Sequence, residues 1–128
     1  MKQILTIAFF IFSASMVYSQ EVQFKKGMVT IDGKECLKYD GSEMSGISYY
    51  NLAGEELFFV DYKRGGPRNV MYWIITFMKD KIRMTNTSLM SRKDIVAKLV
   101  KNGAITNCDI NSEKLSNFVL KFDEQIDK

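Results

Sequence analysis

The sequence predicts an α+β domain: an antiparallel sheet of about five to six strands built from hairpins, followed by two C-terminal helices packed on it. Three observations carry this reading. Strand-forming runs separated by turn dipeptides extend from Val22 to about Thr87. Beyond them the apolar residues switch from alternate spacing to helical spacing, in two stretches that each follow a capping residue. The chain has 128 residues, 46% hydrophobic and 26% charged, which suits one domain and is too apolar for disorder. A domain of this size buries roughly two-thirds of its unfolded surface and needs no metal to fold.

The first element stands apart. "MKQILTIAFFIFSASMVYSQ" reads as a signal peptide over residues 1–19, leaving 20–128 as the single domain. Lys2 supplies the positive end, Ile4 to Phe12 the apolar stretch, and Ser13 to Ser19 the small residues of a cleavage region. A membrane-spanning helix needs about 20 apolar residues, and here Ser13 and Ser15 interrupt the run. The segment resembles signal peptides of Gram-negative bacteria, which implies the periplasm, cell surface or medium, with no transmembrane segment after cleavage.

The strands follow in order. In "MVTIDGKECLKY" the pair Asp32-Gly33 separates two short runs of β-formers, the strongest local hairpin signal. A two-residue loop puts Cys36 on the face of Val29 and Ile31; a three-residue loop with a bulge puts it on the other. "GISYYNLAGEELFFVDYK" gives a second hairpin, Ile47 to Asn51 and Glu56 to Tyr62, around Ala53-Gly54. After "KRGGPR", the run "NVMYWIITFM" is apolar on both faces and suits a central strand covered on both sides. Lys79-Asp80 marks the next turn, and "KIRMTNT" a weaker strand alternating at Ile82 and Met84.

The helices come last. Ser91 and Asp94 are spaced as a capping box, Ile95, Val96, Leu99 and Val100 form one stripe, and Gly103 stands at the expected stop. A second helix begins near Asn111 or Ser112 with the stripe Leu115, Phe118, Val119, Phe122 and Ile126. Through this hairpin series and the ending "RKDIVAKLVKNGAITNCDINSEKLSNFVLKF", the chain resembles small exported proteins of uncharacterised function from Gram-negative bacteria. The resemblance lies in the pattern of elements and transfers no functional residues.

Composition narrows the chemistry. The chain has no histidine, which removes Ser-His-Asp and Cys-His catalysis, His-ligated metals and the usual general base near neutral pH. Two cysteines cannot build a four-thiolate site, and no nucleotide-binding glycine fingerprint is present. No cofactor is expected. Net charge is +3 with both signs interspersed, so no basic stripe calls for nucleic acid. Cys36 and Cys108 form an even pair, which an oxidising compartment favours bridging. The bridge would close a loop of about 73 residues, contributing roughly 4 kcal/mol through loop-closure entropy. Two buried thiols are the alternative.

The candidate site residues are few. Lys63, Arg64 and Arg68 crowd the loop "DYKRGGPRN", where glycine amides and guanidinium forks suit an anion, although no helix start completes a phosphate cradle. Tyr49 and Trp73 belong to a dense aromatic set that either packs the sheet or, if exposed, stacks on a ligand. Asp61, after "LFFV", shares a face with Leu57 and Phe59 by alternation; a carboxylate hydrolase would pair it with Asp40 or Glu56. Asn107, Asp109, Asn111 and Glu113 imitate the start of a calcium loop, but Ser112 and Phe118 stand where its glycine and glutamate belong. The leading expectation is a non-enzymatic exported module that binds a protein, peptide or glycan at the cell envelope. A small carboxylate-dependent hydrolase and a purely structural envelope protein are the alternatives.

Overall fold

Residues 21–89 and 91–126 are described by the computed structural model of this chain, and the leader expected over 1–19 lies outside them. Strands β1 (Val22–Lys25), β2 (Met28–Ile31), β3 (Lys34–Ser42), β4 (Gly46–Tyr50), β5 (Glu56–Lys63), β6 (Tyr72–Phe77) and β7 (Ile82–Asn86) lie side by side in chain order, each antiparallel to the next. Helix α1 (Arg92–Lys101), a ribbon of β8 (Ile105–Thr106) and β9 (Asp109–Ile110), and helix α2 (Ser112–Phe122) follow. The α+β class, the antiparallel sheet and the two C-terminal helices agree with the sequence reading. Among the described residues the sheet has seven strands rather than five to six. The strand outside the expected hairpins is β1, whose turn to β2 is Lys26-Gly27, with φ of 47° and 84°. Lysine at the first left-handed position hides a turn that asparagine or aspartate would advertise.

The Asp32-Gly33 turn is the two-residue form, with Ile31 paired to Lys34 and φ of 54° and 84°. The register then slips: Thr30 faces Glu35 but Val29 faces Leu37, so Cys36 is an extra residue in β3. At this bulge Cys36 and Leu37 are both buried, as local kinking re-aims side chains. A second slip, between Tyr49 opposite Phe58 and Tyr50 opposite Glu56, makes Leu57 the extra residue of β5. Leu57 joins the core instead of sharing the outer face with Phe59 and Asp61.

One face of the sheet forms the core. Tyr49 stacks on Phe58 at 4.4 Å, and Phe58 lies 5.6 Å from Phe77, giving an aromatic row across β4, β5 and β6. Ile95, Val96 and Leu99 of α1 and Leu115 and Phe118 of α2 close over this row. On the outer face Phe59 covers Gly46, where a Cβ would collide with its ring. The run expected as a strand from Asn69 to Met78 pairs only over β6, one place in from the edge strand β7 rather than at the centre. Trp73, Ile75 and Phe77 face the core, and Ile74 is buried on the other side.

Both helices begin as their sequences indicate. The Ser91 side chain accepts the Asp94 N–H at 3.2 Å, and Asn111 accepts that of Lys114 at 3.1 Å. α1 ends at Asn102, followed by Gly103 with φ 79°. α2 stops at Phe122, so Ile126 lies beyond its stripe. There the tail turns along the open side of β7. Asp123 accepts the Thr85 N–H at 3.0 Å, the Glu124 N–H donates to the Thr85 carbonyl at 2.8 Å, and the Ile126 N–H donates to Thr85 Oγ1 at 2.8 Å. An edge that would otherwise invite pairing is covered.

Cys36 and Cys108 form a disulfide across a Cα separation of 5.0 Å, tying the β3 bulge to the β8–β9 turn. Replacing both cysteines by alanine is expected to lower the melting temperature by on the order of 15 °C, from the loop-closure entropy and the size of the domain. Thermal circular dichroism of the two proteins checks this, and equal midpoints would refute it. Tyr49 gives a second expectation. Its hydroxyl is buried without a hydrogen-bond partner among the described residues, and burial raises its pKa well above the ordinary value near 10 while the Arg92 charge pulls the other way. The folded protein thus holds a proton that the unfolded chain releases. This contribution is constant below about pH 10 and is lost as pH climbs beyond it. Tyr49→Phe is expected to match or exceed the parent at pH 7, by up to about 1 kcal/mol, and to soften the alkaline decline. Urea unfolding at pH 7 and pH 11 measures both, and an undiminished decline would clear Tyr49 of responsibility.

Candidate functional site

The β5–β6 connection brings Lys63, Arg64 and Arg68 to the surface, all exposed. Its backbone closes on itself: the Gly66 N–H donates to the Val70 carbonyl at 3.0 Å and the Asn69 N–H to the Gly66 carbonyl at 2.8 Å. Between these bonds the chain places two consecutive residues in the left-handed region, Arg68 (φ 57°) and Asn69 (φ 62°). Asparagine tolerates this region, whereas arginine there costs on the order of 1 kcal/mol. The three cations have no hydrogen-bond or ion-pair partner among the described residues, so their charge is offered to solvent.

The base of the loop is aromatic. Tyr62, 36% exposed, stacks on the buried Trp73 with ring centroids 4.3 Å apart, and its hydroxyl donates to Met71 Sδ at 3.4 Å. The Trp73 Nε1–H donates to the Leu89 carbonyl at 2.7 Å. Trp73 therefore supports the loop from below, with Tyr62 as the ring that meets solvent. Tyr49 is fully buried in the aromatic row, away from this loop, where Arg92 lies over Phe24 and Tyr39 at 4.8 and 5.4 Å. Of the expected site residues, Lys63, Arg64, Arg68 and Trp73 share one end of the sheet, and Tyr49 belongs to the core.

A groove of about 370 Å³ borders the loop, lined by Arg68, Val70, Thr87, Glu124 and Ile126. Val70 is 43% exposed. Glu124 Oε1 accepts from the Thr87 N–H and hydroxyl at 3.2 and 2.9 Å, which fixes the tail as one wall. Gln125, between two lining residues, is also left-handed, with φ 52°. Backbone strain thus sits on both walls of one groove. Sequence reasoning missed Val70, Thr87 and the tail, and held Tyr62 only as one member of the dense aromatic set. Tyr62 carried a usable signal, because alternation from Phe58 and Val60 places it on the core face at the strand end. The tail carried none, because Ile126 fits the helical stripe equally well.

The acids do not converge. Asp61, on the outer face, accepts the Tyr62 N–H at 2.9 Å. Asp40 lies two strands away and two residues along, on the order of 12 Å between Cα atoms. Glu56 is at the far end of β5. Among the described residues no three Cys, Asp or Glu side chains gather to hold a metal ion. Asn107 forms the β8–β9 turn and Asn111 caps α2, which are structural duties for the calcium-like segment. Charge recognition by exposed guanidinium groups beside an aromatic ring is what this end can perform. Comparison with protein-family models, curated proteins and solved structures finds no match to this chain.

Trp73 is the only tryptophan, so its emission reports on the loop base. Tyr62→Ala is expected to shift that emission to longer wavelength by admitting water, with the global fold retained. A spectrum identical to the parent would mean that Tyr62 does not shield the indole.

Proposed function

We propose that the protein is a non-enzymatic binding module of the cell envelope that uses the β5–β6 loop to hold an acidic protein, peptide or glycan. The observation that carries the reading is Arg68: an unpaired cation held in left-handed backbone on the wall of a groove. A glycine there would satisfy the fold with less strain, and strain that the fold does not require points to function. Arg64 and Lys63 add charge on the same loop, and Tyr62 and Val70 add apolar contact surface. The Cys36–Cys108 bridge is compatible with an oxidising, exported compartment, and no described helix is long and apolar enough to cross a membrane.

The decisive variant is Arg68→Gly. It is expected to raise unfolding stability by about 0.5 kcal/mol, the relieved strain less the added freedom of the unfolded chain. It is expected at the same time to weaken capture of envelope material by the immobilised domain. Arg64→Ala with Arg68→Ala is expected to abolish salt-sensitive capture, the mark of exposed charge pairing, at an unchanged melting temperature. Undiminished capture by both variants would overturn the proposal.

A further inference from the structure

The disulfide is asymmetric. Cys36 is 3% exposed, lodged in the β3 bulge beside Leu37, whereas Cys108 is half-buried in the two-residue β8–β9 turn. The two sulfur-bearing residues line a cavity of about 310 Å³ together with Ile31, Lys34, Val100 and Asn107. This volume is at the small end of ligand pockets. Lys34 is exposed and belongs to the same lining as the bridge. Cys108 is also left-handed, with φ 61°, at a turn position where glycine is the preferred residue. The turn gives up its best residue to place a half-buried cysteine there.

We propose that Cys108 is a site of reversible S-thiolation by a low-molecular-weight monothiol bearing a carboxylate, which enters this cavity and opens the bridge from the Cys108 side. The thiolate of the small molecule attacks Cys108 Sγ. A new S–S bond forms between them as the Cys36–Cys108 bond breaks, and the bonding electron pair leaves on Cys36 Sγ. The incoming sulfur is oxidised to the mixed disulfide and Cys36 is reduced, taking a proton from solvent. The Lys34 cation attracts the carboxylate and favours the departing thiolate. Attack on Cys36 is disfavoured because that residue has almost no accessible surface. Opening the bridge does not expel the ribbon, since Ala104 and Ile105 are buried in the core at 0% and 4% exposure. Cys36 stays beside Cys108 and re-forms the bridge by expelling the small thiol, which makes the modification reversible.

The test is to incubate the oxidised mature domain with reduced glutathione under native conditions, block free thiols with iodoacetamide, and map the adducts by peptide mass spectrometry. Glutathione on Cys108 and alkylation on Cys36, with a native far-ultraviolet spectrum, is the expected result. Removing free glutathione before the blocking step should return the bridge. Lys34→Glu is expected to slow the exchange by about threefold to tenfold without altering the melting temperature of the oxidised protein. Adducts on Cys36, adducts divided equally between the cysteines, or a bridge that opens only as the spectrum collapses would each overturn the proposal. An unchanged rate in Lys34→Glu would overturn the part given to the lysine.

Discussion

The C-terminal third of this protein hangs on one buried amide. Asn86, 1% exposed at the end of β7, uses its Oδ1 to accept the Ser88 N–H, the Ser88 hydroxyl and the Leu89 N–H, at 2.8, 2.8 and 3.0 Å. Its Nδ2 donates to the Phe122 carbonyl at 2.7 Å. A buried amide left unsatisfied is costly, and one engaged through both its oxygen and its nitrogen fixes geometry. Here it fixes where the chain leaves the sheet and where α2 ends. Leu89, so held, receives the Trp73 indole, and Phe122 releases the tail onto Thr85. The loop base and the groove wall are thus both set from a single side chain.

The sheet itself is a sequence of local steps with two corrections. Because side chains alternate along a strand, an inserted residue changes which face receives everything beyond it. The bulges at Cys36 and Leu57 each add one apolar side chain to the core and reset the faces of the residues that follow. The first brings a sulfur into reach of the β8–β9 turn. The second leaves Phe59 and Asp61 on the outer face while Phe58, Val60 and Tyr62 line the inner one, and so delivers Tyr62 to Trp73 at the foot of the basic loop. Fold and candidate site are coupled through register.

Much of this was legible. Asp32-Gly33, the spacing of Ile95 to Leu99, and the caps Ser91 and Asn111 announce themselves because each is decided within a few residues. The basic loop was legible as a cluster of charges and a candidate anion site, but neither the left-handed Arg68 nor the groove beside it has a local signature. The strand signal began at Val22, but the Lys-Gly turn hid the hairpin of β1 with β2. The bulges were invisible because an apolar residue at Cys36 or Leu57 fits either register until packing against the helices decides. Asp61 was placed with Leu57 for that reason. The disulfide was open from sequence alone, because only the ribbon turn brings residue 108 over residue 36.

The distance in sequence between the two cysteines, 72 positions, has a consequence for how the molecule is made. On any route that delivers the chain N-terminus first, Cys36 arrives long before its partner. Strands β1 to β3 can pair by then, because each contact is with the neighbour just completed and low contact order favours rapid closure. The bulge starts to enclose the early thiol, and the helices that finish its burial come later. The bond is therefore among the last covalent events of maturation. A chain cut short after residue 36 and before residue 108 carries one unpaired cysteine, which sets such incomplete molecules apart chemically from finished ones.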